Sequence, residues 1–213
     1  MDPRLLQLAD SAFPAGSFAH SSGLEALRQL GQLKGEAALV LRLEELCWSL
    51  ALGALPFLDE AFGGDAVQAD RANEVFLSNH VANRASRAQG QAFLLAAEAM
   101  LGTAEASALR TRLPHAHLAV AMGAALTGAG FARDDVRRLF LFGAVRSALS
   151  AAVRLGITGP LRAQRVLFDL HPVMSQALDE TRGRAMGEAT SAAPLLDVAQ
   201  GAHDRLYSRL FQS

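Results

Sequence analysis

The chain has 213 residues, 51% of them hydrophobic, and a formal net charge of −1. This is enough apolar material to bury a core in one domain, which excludes a disordered chain, and the near-neutral balance excludes the electrostatic footprint of a nucleic-acid or anionic-membrane binder. Cys47 is the sole cysteine, which excludes an intrachain disulfide and a thiolate metal cage and makes the cytoplasm the expected compartment.

Ala and Leu dominate, aromatic residues make up 6% and Ile157 is the single isoleucine, so helix formers far outweigh strand formers. The expected fold is all-α, a single compact domain over residues 1–213. Met1-Asp2-Pro3-Arg4 carries neither the basic start nor the apolar run of an export signal. A short helix is predicted from Arg4 to Ala9, then the breaker-rich loop Asp10–Ser17. The next helix starts near Ser21 or Ser22 and ends before Gly31 or Gly35, with Ser22 and Glu25 spaced as a capping box. Between Glu36 and Leu52, Leu39, Leu43, Leu46 and Leu50 form one apolar stripe, and a further helix covers Pro56–Phe62. The apolar run from Cys47 to Leu58 is bracketed by Glu44, Glu45, Asp59 and Glu60 and falls short of the ~20 residues a bilayer span needs, so it reads as buried helix.

Asp65 caps a helix running to about Asn79, and Ser86–Met100 forms the next. Pro114 opens a small-residue helix ending near Gly128–Gly130, in which Ala119, Ala121, Gly123, Ala124 and Ala125 allow close approach of neighbouring helices or, alternatively, a flat dimer contact. Arg133–Leu155 is the longest candidate, with Asp134 and Asp135 favoured in its first turn by the helix dipole. Leu161–Leu170, Pro172–Arg184 and Pro194–Leu206 complete the set, with no repeat or linker demanding a second domain. Altogether the pattern gives roughly ten helices.

Catalytic patterns are missing. Lys34, the only lysine, is not followed by Ser or Thr, so there is no P-loop, and neither His-Glu-x-x-His nor Gly-x-Ser-x-Gly occurs. His115 and His117 are the only locally paired histidines, and after Pro114 they read as capping or polar packing rather than metal ligands. Cys47, among apolar neighbours, reads as a core thiol. Glu44-Glu45 and Asp134-Asp135 are adjacent on helices and point apart, so neither is a catalytic dyad. The clusters Arg133, Arg137, Arg138 and Arg182, Arg184 read as solvated charge. No catalytic residue, metal ligand or cofactor is assigned.

Two segments stand out. Leu5–Leu27 holds Phe13, Phe18 and His20 among Pro14, Gly16 and Gly23, which either tuck into the core or form an aromatic hot spot. Ser191–Ser213 ends in an apolar, Arg-rich stretch with the only tyrosine, Tyr207, beside Arg209, Leu210 and Phe211; such a tail is expected to dock on its own domain or on a partner.

These segments resemble the two ends of the urease accessory protein UreF family. The N-terminal likeness runs through Leu5-Leu6-Gln7-Leu8, Asp10-Ser11, Phe13-Pro14, Gly16-Ser17-Phe18, His20-Ser21 and Gly23-Leu24-Glu25. The C-terminal likeness runs through Asp197-Val198-Ala199, His203-Asp204 and Tyr207 to Phe211, and Arg84–Gly90 fits the family between them. Gly156–Gln164 departs from the family's Pro-Leu-Gly-Gln-like turn, and Phe18 stands where some relatives carry Tyr, leaving a cation–ring contact with Arg209 as the expected interaction. The resemblance implies a helical homodimer without an active site that binds the accessory protein UreD (also called UreH), recruits the GTPase UreG, couples its nucleotide state to nickel transfer and docks on apo-urease. The residues expected at the partner surface are Phe13, Phe18, His20, Ser21, Glu25, Tyr207, Arg209, Leu210 and Phe211. Read from the residues alone, a generic helical adaptor unrelated to nickel remains the alternative.

Overall fold

The run Leu118–Gly128, LAVAMGAALTG, contains no charged side chain, and every residue from Ala119 to Leu126 is buried. A helix apolar all round has to be surrounded, and the rest of the chain is arranged to do so. The computed structural model describes residues 2–102 and 104–213. Among them are α1 (Pro3–Ala9), α2 (Leu24–Gln29), α3 (Gly35–Gly53), α4 (Leu55–Gly63), α5 (Ala66–Phe76), α6 (His80–Leu101) and α7 (Ala104–Arg112). There follow α8 (Leu118–Gly128), α9 (Arg133–Arg154), α10 (Pro160–Asp169), α11 (His171–Glu180) and α12 (Pro194–Gly201), with no strand among the described residues.

The hub is α8, which packs against α4, α5, α6, α7 and α9. Two glycines set the closest approaches. A Cβ on Gly123 would run into the carbonyl oxygen of Leu58 on α4, and one on Gly90 of α6 would run into that of Ala116 just before α8. The small residues of α8 therefore serve packing within the chain. One contiguous core extends from this hub to the Leu39 and Leu43 face of α3, to Val145 and Leu149 of α9, and to Ala163 and Val166 of α10.

Arg137 is 3% exposed rather than solvated. Its guanidinium pairs with Asp59 of α4 and donates to the Leu178 carbonyl at 2.9 Å and the Thr181 hydroxyl at 2.9 Å, so α9 is tied to α4 and α11. Removing either member of such a buried pair strands a charge and costs about 3–5 kcal/mol. Arg182 does lie outside, held by Asp134 at 2.6 Å and Asp179 at 3.3 Å.

Several boundaries differ from the sequence reading, each for a local reason. α6 begins at His80 because the Asn79 side chain accepts from the Val81 and Ala82 amides. α7 was hidden by its weak pattern, with only Ala106 and Leu109 of its side chains shown to be buried. Pro114 does not open α8. The carboxylate of Asp70 accepts the successive N–H groups of His115, Ala116 and His117 at 2.7, 3.0 and 2.9 Å, which holds this stretch non-helical until Leu118. The last helix ends at Gly201 and is followed by a single 3-10 turn at His203–Arg205.

The glycine contacts carry a prediction. Gly123→Ala should destabilise by about 2 kcal/mol or more through overpacking against backbone. Gly143→Ala, where an added Cβ meets nothing within 4 Å, should stabilise α9 by about 0.5–1 kcal/mol. Urea denaturation of both variants checks this, and equal effects would contradict the account.

Candidate functional site

The two segments singled out in the sequence lie against each other. Gly23 makes the junction possible: its φ is +85°, and a Cβ there would press on the backbone of Leu196 and Gln200 in α12. Ser22 beside it also sits at positive φ, 52°. The expected capping box does not form. The N-cap of α2 is Gly23, without a side-chain bond, and the Glu25 carboxylate points elsewhere.

Glu25 is 3% exposed. Its two oxygens accept the backbone N–H of Leu210 at 2.7 Å and of Phe211 at 3.2 Å. Around this bond the final residues form a strap across the N-terminal loop. The Gln212 N–H donates to the Ala19 carbonyl at 2.8 Å, and the Ser21 N–H and hydroxyl donate to the Ser213 carbonyl at 2.6 and 3.1 Å. His20 Nδ1 lies 2.5 Å from the Ser213 hydroxyl, and Gln29 donates to the Ser208 carbonyl at 2.7 Å. His203, fully buried, places Nε2 3.2 Å from the Phe211 carbonyl. A carbonyl only accepts, so the proton is assigned to Nε2.

Arg154, in the last turn of α9, joins the two rings. Its guanidinium lies 4.1 Å from the Phe18 centroid and 4.3 Å from that of Phe211, and it donates to the Phe18 carbonyl at 2.7 Å. The cation on Phe18 is thus Arg154 and not Arg209, which reaches Asp204 at 3.5 Å. Asp204 is claimed chiefly by Arg84, at 2.8 Å, which holds its carboxyl below the usual carboxylate range.

The nine residues expected at a partner surface divide into two sets. His20, Ser21, Glu25 and Phe211 are buried in the junction, and half-buried Phe13 packs on Phe93 with ring centroids 5.9 Å apart. Outside are Tyr207, fully exposed, Phe18 at 69%, Leu210 at 54% and Arg209. The first set builds the platform and the second is what it displays. Sequence reasoning missed Arg154, Gln29 and His203 as parts of the junction. For Arg154 the only available signal was an aromatic loop with no cation of its own.

The Arg84–Gly90 stretch is used throughout. Beyond the roles of Arg84 and Gly90, the Ser86 hydroxyl lies 3.1 Å from His117 Nδ1 and accepts the Leu118 N–H at 3.3 Å. His117 Nε2 reaches Glu74 at 3.0 Å, with His115 Nδ1 at 3.5 Å. Among the described residues no group of three or more His, Cys, Asp and Glu side chains is arranged to hold a metal ion. Cys47 is buried, and burial pushes its thiol up to about 12.

Comparison with known proteins gives the family. The UreF family model matches residues 27–171. The chain belongs to the UreF family. Urease accessory protein F of Arabidopsis thaliana is 34% identical over 97% of this chain and 90% of its own length. The protein of the same name from Oryza sativa subsp. indica is 32% identical over 96% of this chain and 82% of its own length, and urease accessory protein UreF of Trichodesmium erythraeum (strain IMS101) is 31% identical over 97% and 94%. These matches cover 96–97% of the chain, whereas the UreF model ends at residue 171. No helix among the described residues is long and apolar enough to cross a membrane.

Burial, with smaller repulsion from His203 and Arg84, pushes the His20 pKa down to about 4. The unfolded side chain titrates near ~6.5, so the unfolded state binds more protons between these values and the stabilisation, full above them, is lost as pH falls. Lowering pH from 7.5 to 4.5 should remove on the order of 3 kcal/mol through this group. Urea titrations across that range should show a flatter pH dependence for His20→Asn; an unchanged slope would contradict the role given to His20.

Proposed function

We propose that this chain is a non-catalytic scaffold of urease maturation that works in the cytoplasm. In this reading it forms a homodimer, binds UreD/UreH, recruits the GTPase UreG and brings it to apo-urease for nickel insertion, tuning GTP hydrolysis without a cofactor or active site of its own. Membership of the UreF family supports the urease setting. The supporting observation on the chain itself is the strap, which holds Tyr207, Arg209 and Leu210 outward on a backbone pinned by Glu25, while Phe18 is exposed over Arg154. Tyr and Arg on a fixed backbone bind with little entropy left to lose, which suits a protein–protein hot spot.

Deleting residues 202–213 would be a poor test, because it strips Glu25 of its two amide donors and removes buried Phe211. Surface substitutions keep the fold. Size-exclusion chromatography with light scattering, on this protein with UreD/UreH and UreG from the same source, should give a dimer-based complex. Tyr207→Ala with Phe18→Ala should weaken assembly by roughly 30-fold, the scale of a hot-spot loss, while leaving the melting temperature within a few degrees. Unchanged assembly would remove the strap surface from the reading, and no complex with either protein would favour a generic adaptor.

A further inference from the structure

A cavity of about 350 Å³ lies between the N-terminal loop and α3, α5, α6, α8, α9 and α12. Phe13, Leu50, Phe76, Phe93, Met122 and Phe140 contribute to its wall, so most of its surface offers water nothing to bond to. Its size is that of a small-molecule site.

Polar side chains, mostly serines and amides, interrupt this apolar wall, and groups on two of its polar residues lack partners. Arg146 of α9 lines the cavity with its Nε fully buried and without a hydrogen-bond acceptor, and its guanidinium makes no ion pair among the described residues. Asn73 of α5, 2% exposed, also lines it, and its carboxamide makes no hydrogen bond to another described residue. The wall includes two carboxylates, but Asp10 accepts the Ala12 N–H at the exposed rim and Asp197 takes the Ser191 hydroxyl. No lysine or second arginine is in the wall. His20, the remaining titratable cation there, stays neutral near pH 7 because burial depresses its pKa.

The buried Nε of Arg146 has no acceptor, which is costly, and an anion that supplies one recovers that cost. Arg146 is the one guanidinium in the wall and shares it with the carboxylates of Asp10 and Asp197, so a dianion such as phosphate is disfavoured relative to a monoanion seated on the Arg146 side. The rest of the wall selects an apolar body. We propose that this cavity binds an amphipathic monocarboxylate of medium chain length, with its carboxylate on Arg146 and its chain among the phenylalanine, leucine and methionine side chains. This inference is independent of the partner surface proposed above, although Phe13 and His20 belong to both the cavity wall and the junction with the strap.

Isothermal titration calorimetry with decanoate below its micelle concentration tests the proposal, with 1-decanol and acetate as the body and the head alone. Decanoate should bind saturably at one site, and each fragment at least 10-fold more weakly. Arg146→Gln should weaken decanoate by roughly 10-fold or more, the scale of a lost charge-assisted hydrogen bond, and leave decanol unchanged. Gly143→Leu fills the cavity from a position where an added Cβ meets nothing within 4 Å, so it should abolish binding in a folded protein. No decanoate binding by the parent protein, decanol binding as tight as decanoate with no effect of Arg146→Gln, or undiminished binding in folded Gly143→Leu would each overturn the proposal. If Gly143→Leu does not fold, the decanoate and decanol pair on Arg146→Gln decides alone.

Discussion

The carboxylate of Glu25 is buried at the start of a six-residue helix whose own N-terminus does not use it, so its acceptors have to be met from elsewhere in the chain. The backbone amides of Leu210 and Phe211 meet them. A charged acceptor with two amide donors in a dry setting is worth more than a neutral pair, and leaving it bare is expensive. That single requirement brings the last residues onto the N-terminal loop, seats Phe211 under Arg154 and leaves Tyr207, Arg209 and Leu210 facing outward. The display surface is a consequence of the buried bond beneath it.

The rest of the molecule divides into a tight half and a hollow half. Around α8, glycines let α4 and α6 approach until backbone meets backbone, and almost nothing can be added there. Between α3, α6 and α9 the small residues Gly143 and Ala144 leave space instead, and Arg146, with its Nε unpartnered, lines that space. Small residues thus have opposite effects in the two places, depending on whether the facing element closes in on them. The buried Arg137–Asp59 pair stands between the regimes, fixing α9 to α4.

Much of the architecture was legible in the sequence, because apolar stripes such as Leu39, Leu43, Leu46 and Leu50 report helices directly. The two segments of the junction were also legible, through their unusual residues and their family likeness. What sequence could not give was the destination of polar side chains. Glu25 and Ser22 have capping-box spacing, yet the carboxylate bonds residues about 185 positions away, a choice set by tertiary geometry that overrides local preference. Asp70 acts in the same way on His115–His117, delaying a helix that Pro114 would otherwise begin. Arg137 looked solvated because its neighbours Arg133 and Arg138 are charged, and only packing showed which of the three faces inward.

The claim that Glu25 organises the display surface is tested most directly by hydrogen–deuterium exchange on Glu25→Ala compared with the parent protein. The account predicts that amides in residues 206–213 and 19–21 lose protection together while those of α8 keep theirs. Unchanged exchange in the strap of a folded Glu25→Ala protein would show that other contacts hold it and that the buried carboxylate is not its anchor.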